Sequence, residues 1–254
     1  MLKNKNVLAM VASLPLLVSG PASFAGGVLW SYEGDTGPAN WGSLSPSWTV
    51  CGNGHYQSPI DISNGISADL GSVSTNIKPT NLKFGLDGPT FAVEYESGSM
   101  LTVNGTNYEL QQFHFHHLSE HTLDGKHYPM EAHLVLRSEG SDHSDAVMGV
   151  FIDAGKKNAM LEQFWGQLPR AEQSSVKPVK VNVGDLLPEN TSYFMYTGSM
   201  TTPGCLQGVR WFVLEQPVEA SQAQIDRFIE DFTAGKTNNR PVQATKARAI
   251  LKGK

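Results

Sequence analysis

Histidines at alternate positions of one short stretch constrain this chain more than any other feature. The stretch reads Gln-Phe-His-Phe-His over residues 112–116. In an extended strand, successive side chains point to opposite faces, so Gln112, His114 and His116 share one face. We therefore predict a strand with one aromatic face and one polar face that carries two imidazoles.

A second run, residues 130–136, carries Glu131 and His133 on one face in the same way. Between the two runs, Asp-Gly-Lys at residues 124–126 supplies turn residues, which favours two antiparallel strands joined by a loop. Pairing the polar faces of these strands brings three imidazoles together, with an amide and a carboxylate beside them. The pattern therefore predicts a metal site in which His133 is the third ligand.

The chemistry of the ligands favours zinc. Three neutral imidazoles without a thiolate suit Zn²⁺ and leave its fourth position for water. A ligating imidazole usually donates its other ring N–H to a carboxylate, an amide or a carbonyl. Gln112 and Glu131, each two residues before a ligand, are predicted to hold His114 and His133 in this way. Histidine-rich strands are often simply solvated, but these two partners favour the metal site.

The rest of the chain is patterned mainly as strands. Alternation and turn signals predict strands over Leu82–Phe84, Thr90–Tyr95, Met100–Val103, Tyr108–His117, Glu131–Leu136, Ala146–Ile152 and Val176–Val181. Helical spacing predicts helices over residues 158–168 and 221–233, the second capped by Ser221 and ended by Gly235. No internal repeat or low-complexity linker divides the 254 residues, so we predict one β-rich domain.

These motifs resemble the signature of the α-class carbonic anhydrases. The matching stretches, in that family's order, are Trp30-Ser31-Tyr32, Gln57-Ser58-Pro59-Ile60-Asp61, Gln112-Phe113-His114-Phe115-His116, Ser119-Glu120-His121-Thr122, Tyr128, Glu131-Ala132-His133-Leu134-Val135, Thr201-Thr202-Pro203, Trp211 and Asn238-Asn239-Arg240-Pro241. The resemblance implies a mainly β (α+β by some schemes) domain over residues 26–254. Its expected architecture is a large twisted, mostly antiparallel sheet with short peripheral helices and a zinc site in a conical cleft.

The resemblance also implies a reaction, the reversible hydration of carbon dioxide to bicarbonate and a proton by a zinc-bound hydroxide. Thr201 matches the family's gatekeeper threonine, which accepts a hydrogen bond from the hydroxide and donates its own proton to an acidic residue, here Glu120. Thr202 would contact bicarbonate, and Tyr32 would order the water chain. Asn238 would support the histidine ligands, whereas His121 is interpreted as structural.

Carbon dioxide is apolar, so the resemblance implies an apolar wall beside the hydroxide. Its expected members are Val135, Val147, Met200, Val209 and Trp211. Fast members of the family carry a histidine that moves the proton to buffer, but this chain has Pro89 at the corresponding position. Because proline cannot carry a proton, we expect release through water, buffer or another group, and a turnover that depends on buffer.

The first segment has the features of a secretory signal peptide. Lys3 and Lys5 precede an apolar run, and Ser-Phe-Ala at residues 23–25 forms a small-x-small cleavage site, so residues 1–25 are predicted to be removed. Their removal leaves 17 basic residues against 24 acidic ones, a net charge of −7 that disfavours nucleic-acid binding. No later stretch reaches the length of a membrane span. The expected compartment is the bacterial periplasm, with release from the cell left open.

Export favours a disulfide between the two cysteines, Cys51 and Cys205. Two buried free thiols are the alternative. Bacterial members of the family carry a comparable bridge, which here would contribute roughly 5 kcal/mol in the chain-entropy model. It would tie the N-terminal segment to the loop that contains Thr201.

Two other functions remain open from the sequence, a catalytically inactive carbonic-anhydrase-like binding domain and a zinc-dependent esterase. The retention of all three histidines, Glu120 and Thr201 disfavours the first, and the narrow apolar pocket disfavours the second as a main role. The expected small-molecule partners are carbon dioxide and bicarbonate. Many bacterial members pair as dimers, and the sequence leaves a homodimer open.

Overall fold

The computed structural model describes residues 23–25, 28–87, 90–165 and 180–253 of the chain. Its strands are β1 (Ser23–Ala25), β2 (Val28–Trp30), β3 (Asp61–Ile62), β4 (Ile66–Ala68), β5 (Val73–Asn76), β6 (Thr80–Asn81), β7 (Lys83–Asp87), β8 (Thr90–Glu94), β9 (Met100–Val103), β10 (Thr106–His116), β11 (Thr122–Leu123), β12 (Met130–Ser138), β13 (Ala146–Ala154), β14 (Lys180–Val181), β15 (Tyr193–Ser199), β16 (Gln207–Leu214), β17 (Val218–Ala220) and β18 (Leu251–Gly253). Its α-helices are α1 (Trp41–Leu44), α2 (Val50–Asn53), α3 (Ala159–Trp165) and α4 (Gln222–Thr233), and 3₁₀ turns cover Gly34–Thr36, Pro46–Trp48 and Val183–Leu186.

One mixed sheet carries most of these strands. Its main path runs β4–β18–β15–β16–β13–β12–β10–β8–β7. Neighbours along this path are antiparallel except for β13 with β16 and β18 with β4. The mainly β, mostly antiparallel fold expected from the sequence is therefore confirmed.

The alternation along β10 separates an aromatic layer from a polar one. Phe113 and Phe115 are buried against the helices, with ring centroids 5.6 Å apart for Phe113 and Phe164 of α3. Phe115 and Phe228 of α4 lie 6.0 Å apart by the same measure. Because neighbouring side chains on a strand point to opposite faces, the histidines between these phenylalanines lie on the side of the sheet away from α3 and α4.

Helix α4 begins and ends close to the predicted residues. Ser221 and Gln224 form a capping box at its N-terminus, in which the side-chain oxygen of each residue accepts a hydrogen bond from the backbone N–H of the other. At the other end Ala234 adopts a left-handed φ of 50°, and the N–H of Gly235 donates to the oxygen of Ile229. The cap at Ser221 and the end at Gly235 follow the sequence pattern.

Other boundaries differ from the sequence pattern. Helix α3 begins one residue after the predicted start, because the side chain of Asn158 caps it by accepting from the N–H of Leu161 at 3.1 Å. Strands β15 and β16 were not indicated by alternation. Most of their residues are buried, so the polar positions that reveal a half-exposed strand are few. Residues 166–168 and 176–179, at the edges of two predicted elements, lie outside the described residues.

The N-terminal segment is tied to the rest of the molecule by a disulfide. Cys51 and Cys205 are bonded, as predicted, and both pack with Trp30, Trp41 and Trp48 in one buried cluster. The predicted signal peptide lies outside the described residues apart from residues 23–25. Among the described residues no helix combines the length and the apolar character needed to cross a bilayer.

Candidate active site

Three imidazoles converge on the polar face of β10 and β12. His114 pairs directly with His133 in the register of the two strands, and His116 follows on the same face. The ring centroids are 4.9, 5.2 and 4.5 Å apart for the three pairs, and each side chain is at most 5% exposed. The ring nitrogens that these residues offer all lie within 4.8 Å of one another. The three predicted ligands are therefore close enough to share one ion.

Each ring donates through one nitrogen to an oxygen of a different kind. The contacts are His114 Nδ1 to Gln112 Oε1 at 2.9 Å, His116 Nδ1 to the main-chain oxygen of Asn238 at 2.7 Å, and His133 Nε2 to Glu131 Oε1 at 2.9 Å. Because an oxygen acceptor requires an N–H donor, the lone pairs are left on Nε2 of His114, Nε2 of His116 and Nδ1 of His133. Gln112 and Glu131 thus occupy the positions predicted for them.

The surroundings favour the neutral form of His114 and His116. Burial lowers the pKa of His114 well below 6.5, and repulsion from the other two imidazoles lowers it further. Burial also lowers the pKa of His116. A protonated imidazole cannot bind a metal, so both shifts favour the ligating form.

A buried hydrogen-bonded network lies behind His133. Glu131 accepts from His121 Nδ1 at 2.7 Å and from the backbone N–H of His121 at 2.8 Å. The other nitrogen of His121 lies 2.7 Å from the Tyr196 hydroxyl, which contacts the Ser58 hydroxyl at 2.8 Å. Burial by itself raises the pKa of Glu131, but His121 and His133 outweigh it and hold that pKa well below 4.5. Both nitrogens of His121 are engaged within the fold, which fits its structural interpretation.

Glu120 is fully buried beside the imidazoles. Its Oε1 accepts from the backbone N–H of Arg240 at 2.7 Å. Its Oε2 lies 3.6 Å from His116 Nε2 and has no hydrogen-bond partner among the described residues. In the described residues this oxygen therefore does not receive the hydrogen bond expected from Thr201. Thr201 itself is only 5% exposed.

The five residues expected to form the apolar wall belong to one cluster. Val135, Val147, Val209 and Trp211 are buried in it, and Met200 packs against it while remaining partly exposed. The Trp211 ring lies edge-on to that of His133, with centroids 4.9 Å apart. An apolar surface therefore adjoins the imidazoles.

Comparison with known proteins decides the family. The family described as eukaryotic-type carbonic anhydrase matches residues 36–254. A carbonic anhydrase of Nostoc sp. is 39% identical, over 99% of this chain and 96% of its own length. The chain belongs to the α-class carbonic anhydrases. It is accordingly an enzyme of that family.

Solved carbonic anhydrases agree with this assignment. The α-carbonic anhydrase from Thermovibrio ammonificans, solved with the inhibitor sulfanilamide, is 40% identical with a TM-score of 0.81, covering 89% of this chain and 100% of its own. A hyperthermostable carbonic anhydrase from a hydrothermal vent chimney is 42% identical with a TM-score of 0.79 at the same coverages. Both solved chains thus match over their full length.

Asn238 and Arg240 act in this carbonic anhydrase site through contacts whose atoms the sequence did not reveal. Asn238 supports His116 through its main-chain oxygen, and its side chain accepts from the backbone N–H of His117 at 2.7 Å. Arg240 is 1% exposed and donates from its guanidinium to main-chain oxygens of Ser58 and Cys51. Backbone acceptors carry no residue-type signal, so only the resemblance of residues 238–241 to the family's motif indicated that this segment lies at the site.

The remaining predicted residues lie on neighbouring elements. The Tyr32 hydroxyl lies 3.1 Å from that of Thr90, the first residue of β8. Thr202 is partly buried, and its main-chain oxygen accepts from the N–H of Cys205 at 2.9 Å. The disulfide thus holds the turn that follows Thr201. Pro89 lies outside the described residues.

The donor set fits Zn²⁺. His116 Nε2 is buried and has no hydrogen-bond partner among the described residues, which is costly for a lone pair unless an ion occupies the space it points to. Three neutral imidazoles without a thiolate are the ligand set of catalytic zinc sites that keep one position for water. His114, His116 and His133 would hold the metal.

Proposed function

We propose that this carbonic anhydrase hydrates carbon dioxide reversibly with Zn²⁺ held by His114, His116 and His133. The observation that carries the proposal is the arrangement of the three rings. Each has one nitrogen fixed by an oxygen acceptor, which leaves its lone pair for a common ion. Zinc bound in this way acidifies water, so that hydroxide is available near neutral pH.

The chain's own residues would aim the nucleophile and hold the substrate. Thr201 would accept a hydrogen bond from the nucleophile and donate its own O–H in a hydrogen bond to the unpartnered Oε2 of Glu120. The N–H of Arg240 would hold Oε1 of the same carboxylate. Thr202 would contact the bicarbonate product. The apolar wall would hold carbon dioxide without competing for it with hydrogen bonds.

Proton release would proceed without the family's histidine, because Pro89 occupies that position in the sequence. The hydroxyl pair of Tyr32 and Thr90 supports a water route at the edge of the site. We expect added imidazole buffer to raise the rate at saturating carbon dioxide, and Pro89→His to reduce that dependence. Rates that do not climb with imidazole would contradict this route.

The domain would span residues 26–254 and act outside the cytoplasm, in a bacterial periplasm. The disulfide supports this location, because such bridges persist in oxidising compartments. N-terminal sequencing of protein secreted from a bacterial host would test the cleavage after Ala25. A start more than about two residues away from residue 26 would contradict the assignment.

One experiment tests the catalytic proposal against its alternatives. Zinc content, carbon dioxide hydration and ester hydrolysis are measured on the same preparation, with and without sulfanilamide. We expect about one zinc per chain and sulfanilamide-sensitive hydration, both lost in His114→Ala. His143→Ala is the matched control, because His143 is exposed and the one polar partner of its ring among the described residues is Asp142. Zinc without hydration would favour a binding domain, and hydrolysis in excess of hydration would favour an esterase.

A further inference from the structure

We propose that Met200 is an oxidation site, at which hydrogen peroxide converts the thioether to a sulfoxide and thereby slows carbon dioxide hydration. The inference rests on the proposed function, because it requires the apolar wall to hold the substrate. It assigns to Met200 a role beyond that of a wall residue. The relevant observations are its place in the cluster, its anchored backbone and its partial exposure.

Met200 lies at the junction of the wall and the reaction site. Its side chain packs against the cluster that contains Val135, Val147 and Trp211, while Thr201 follows it directly in the chain. These three wall residues are at most 7% exposed, whereas Met200 is partly exposed. Met200 is therefore the member of the wall that a dissolved oxidant reaches first.

The backbone around Met200 is held on both sides. Its N–H donates to the oxygen of Leu206 at 3.0 Å, and its oxygen accepts from the Ser199 hydroxyl at 2.7 Å. Trp211 Nε1 donates to the oxygen of Ser199 at 2.9 Å. An oxidised Met200 side chain would therefore stay beside the apolar cluster, because moving this loop away would break these hydrogen bonds.

Other sulfur groups in the described residues are less suited to this role. Met130, Met148 and Met160 are at most 3% exposed. Met195, on strand β15, is partly exposed but packs against a different core cluster, the one that contains Phe113 and Phe212. Met100 lies on strand β9 and belongs to no part of the wall. Neither cysteine is free, so a thiol does not compete for the oxidant.

The chemistry balances with the peroxide as the only co-reactant. The sulfur lone pair attacks one peroxide oxygen, the O–O bond breaks, and the products are the sulfoxide and one water. Sulfur loses two electrons and the peroxide gains them. The sulfoxide is polar and chiral, and methionine sulfoxide reductases reverse it. The product would place a polar oxygen at the apolar cluster against which Met200 packs, where carbon dioxide would otherwise contact carbon.

The test follows modification and activity together. Wild-type protein, Met200→Leu and the control Met195→Leu are treated with graded hydrogen peroxide, and sulfoxide at each methionine is quantified by peptide mass spectrometry. Carbon dioxide hydration is expressed relative to each protein's own untreated sample, and zinc content is measured throughout. We expect kcat/KM of wild type and Met195→Leu to fall about tenfold as Met200 is converted, the scale of one mismatched polar group in an apolar pocket. Met200→Leu should retain its untreated rate, and a reductase should restore the other two.

The proposal would be overturned by oxidation of Met100 and Met195 while Met200 stays reduced, by complete conversion of Met200 without loss of rate, or by an equal loss of rate in Met200→Leu. Loss of zinc in step with the rate would also overturn it, because the cause would then be the metal centre. If untreated, zinc-loaded protein does not hydrate carbon dioxide, the proposed function fails. The order of sulfoxide formation then still decides whether Met200 is the reactive methionine.

Discussion

Gly149→Ala tests how far the zinc site depends on a residue that has no side chain to bind the metal. Gly149 lies opposite His133 in the register of β12 and β13. A Cβ added there would be 2.8 Å from Glu131 Oε1, closer than such atoms approach in proteins. That oxygen accepts from both His121 and His133. The Glu131 carboxylate therefore occupies the space that a side chain at position 149 would fill.

The size of the effect follows from what Glu131 would lose. The carboxylate is fully buried on a central strand, so it cannot avoid the methyl group without lengthening its bonds to the two imidazoles. Loss of a partner of this kind costs about 10–100-fold in metal affinity. That range corresponds to about 1.4–2.8 kcal/mol at 25 °C. We expect the dissociation constant of Gly149→Ala for zinc to rise by this factor.

The assay is a competition for zinc between the apoprotein and a chromophoric chelator at constant pH. Gly52→Ala is the matched control, because a Cβ at Gly52 meets nothing closer than 3.8 Å and its backbone φ is not left-handed. It should bind zinc as the wild type does. A dissociation constant for Gly149→Ala within about twofold of the wild type would refute the reasoning, since the predicted loss is at least tenfold.

Three further predictions concern stability. Replacing both cysteines with serine removes a disulfide between positions 154 residues apart. It should lower the free energy of unfolding, measured by urea titration, by roughly 5 kcal/mol. A loss below about 1 kcal/mol would contradict the chain-entropy account. Gly198→Ala would place a Cβ 2.0 Å from Ser58 Oγ, so overpacking should cost about 1–3 kcal/mol and lower the melting temperature, whereas an unchanged value would show that the site relaxes. The hydrogen bond from Arg137 lowers the pKa of Glu109 below 4.5, so its stabilisation is present above that pH and is lost as the pH falls through the folded-state value. Glu109→Gln should therefore destabilise the protein at about pH 7 and much less at about pH 3, and an equal loss at both would contradict the assignment.

The metal site was the part of the molecule most accessible from sequence. His114, His116 and Glu131 are residues of a metal site and lie at alternate positions of short strands, so the face on which each lies follows from alternation alone. Pairing of the two strands then places His133 opposite His114. Here local geometry and ligand chemistry pointed to the same arrangement.

The parts that sequence did not reveal depend on contacts between distant segments. The acceptor for His116 is a main-chain oxygen 122 residues away at Asn238, which any residue could supply. The orientation of Glu120 depends on the N–H of Arg240, again a backbone group. Strand β16 lies parallel to β13, and a parallel pair has no connecting turn from which its register could be derived.

The three acceptors also differ in charge, and this gives the ligands unequal roles. His114 donates to an amide and His116 to a main-chain oxygen, whereas His133 donates to a carboxylate. The pKa of Glu131 is held low by His121 and His133, so a negative charge faces the far side of one ligand only. That charge would partly compensate a divalent cation within a buried site. Packing between β12 and β13, where Gly149 leaves room for Glu131, is therefore the packing on which metal affinity depends most.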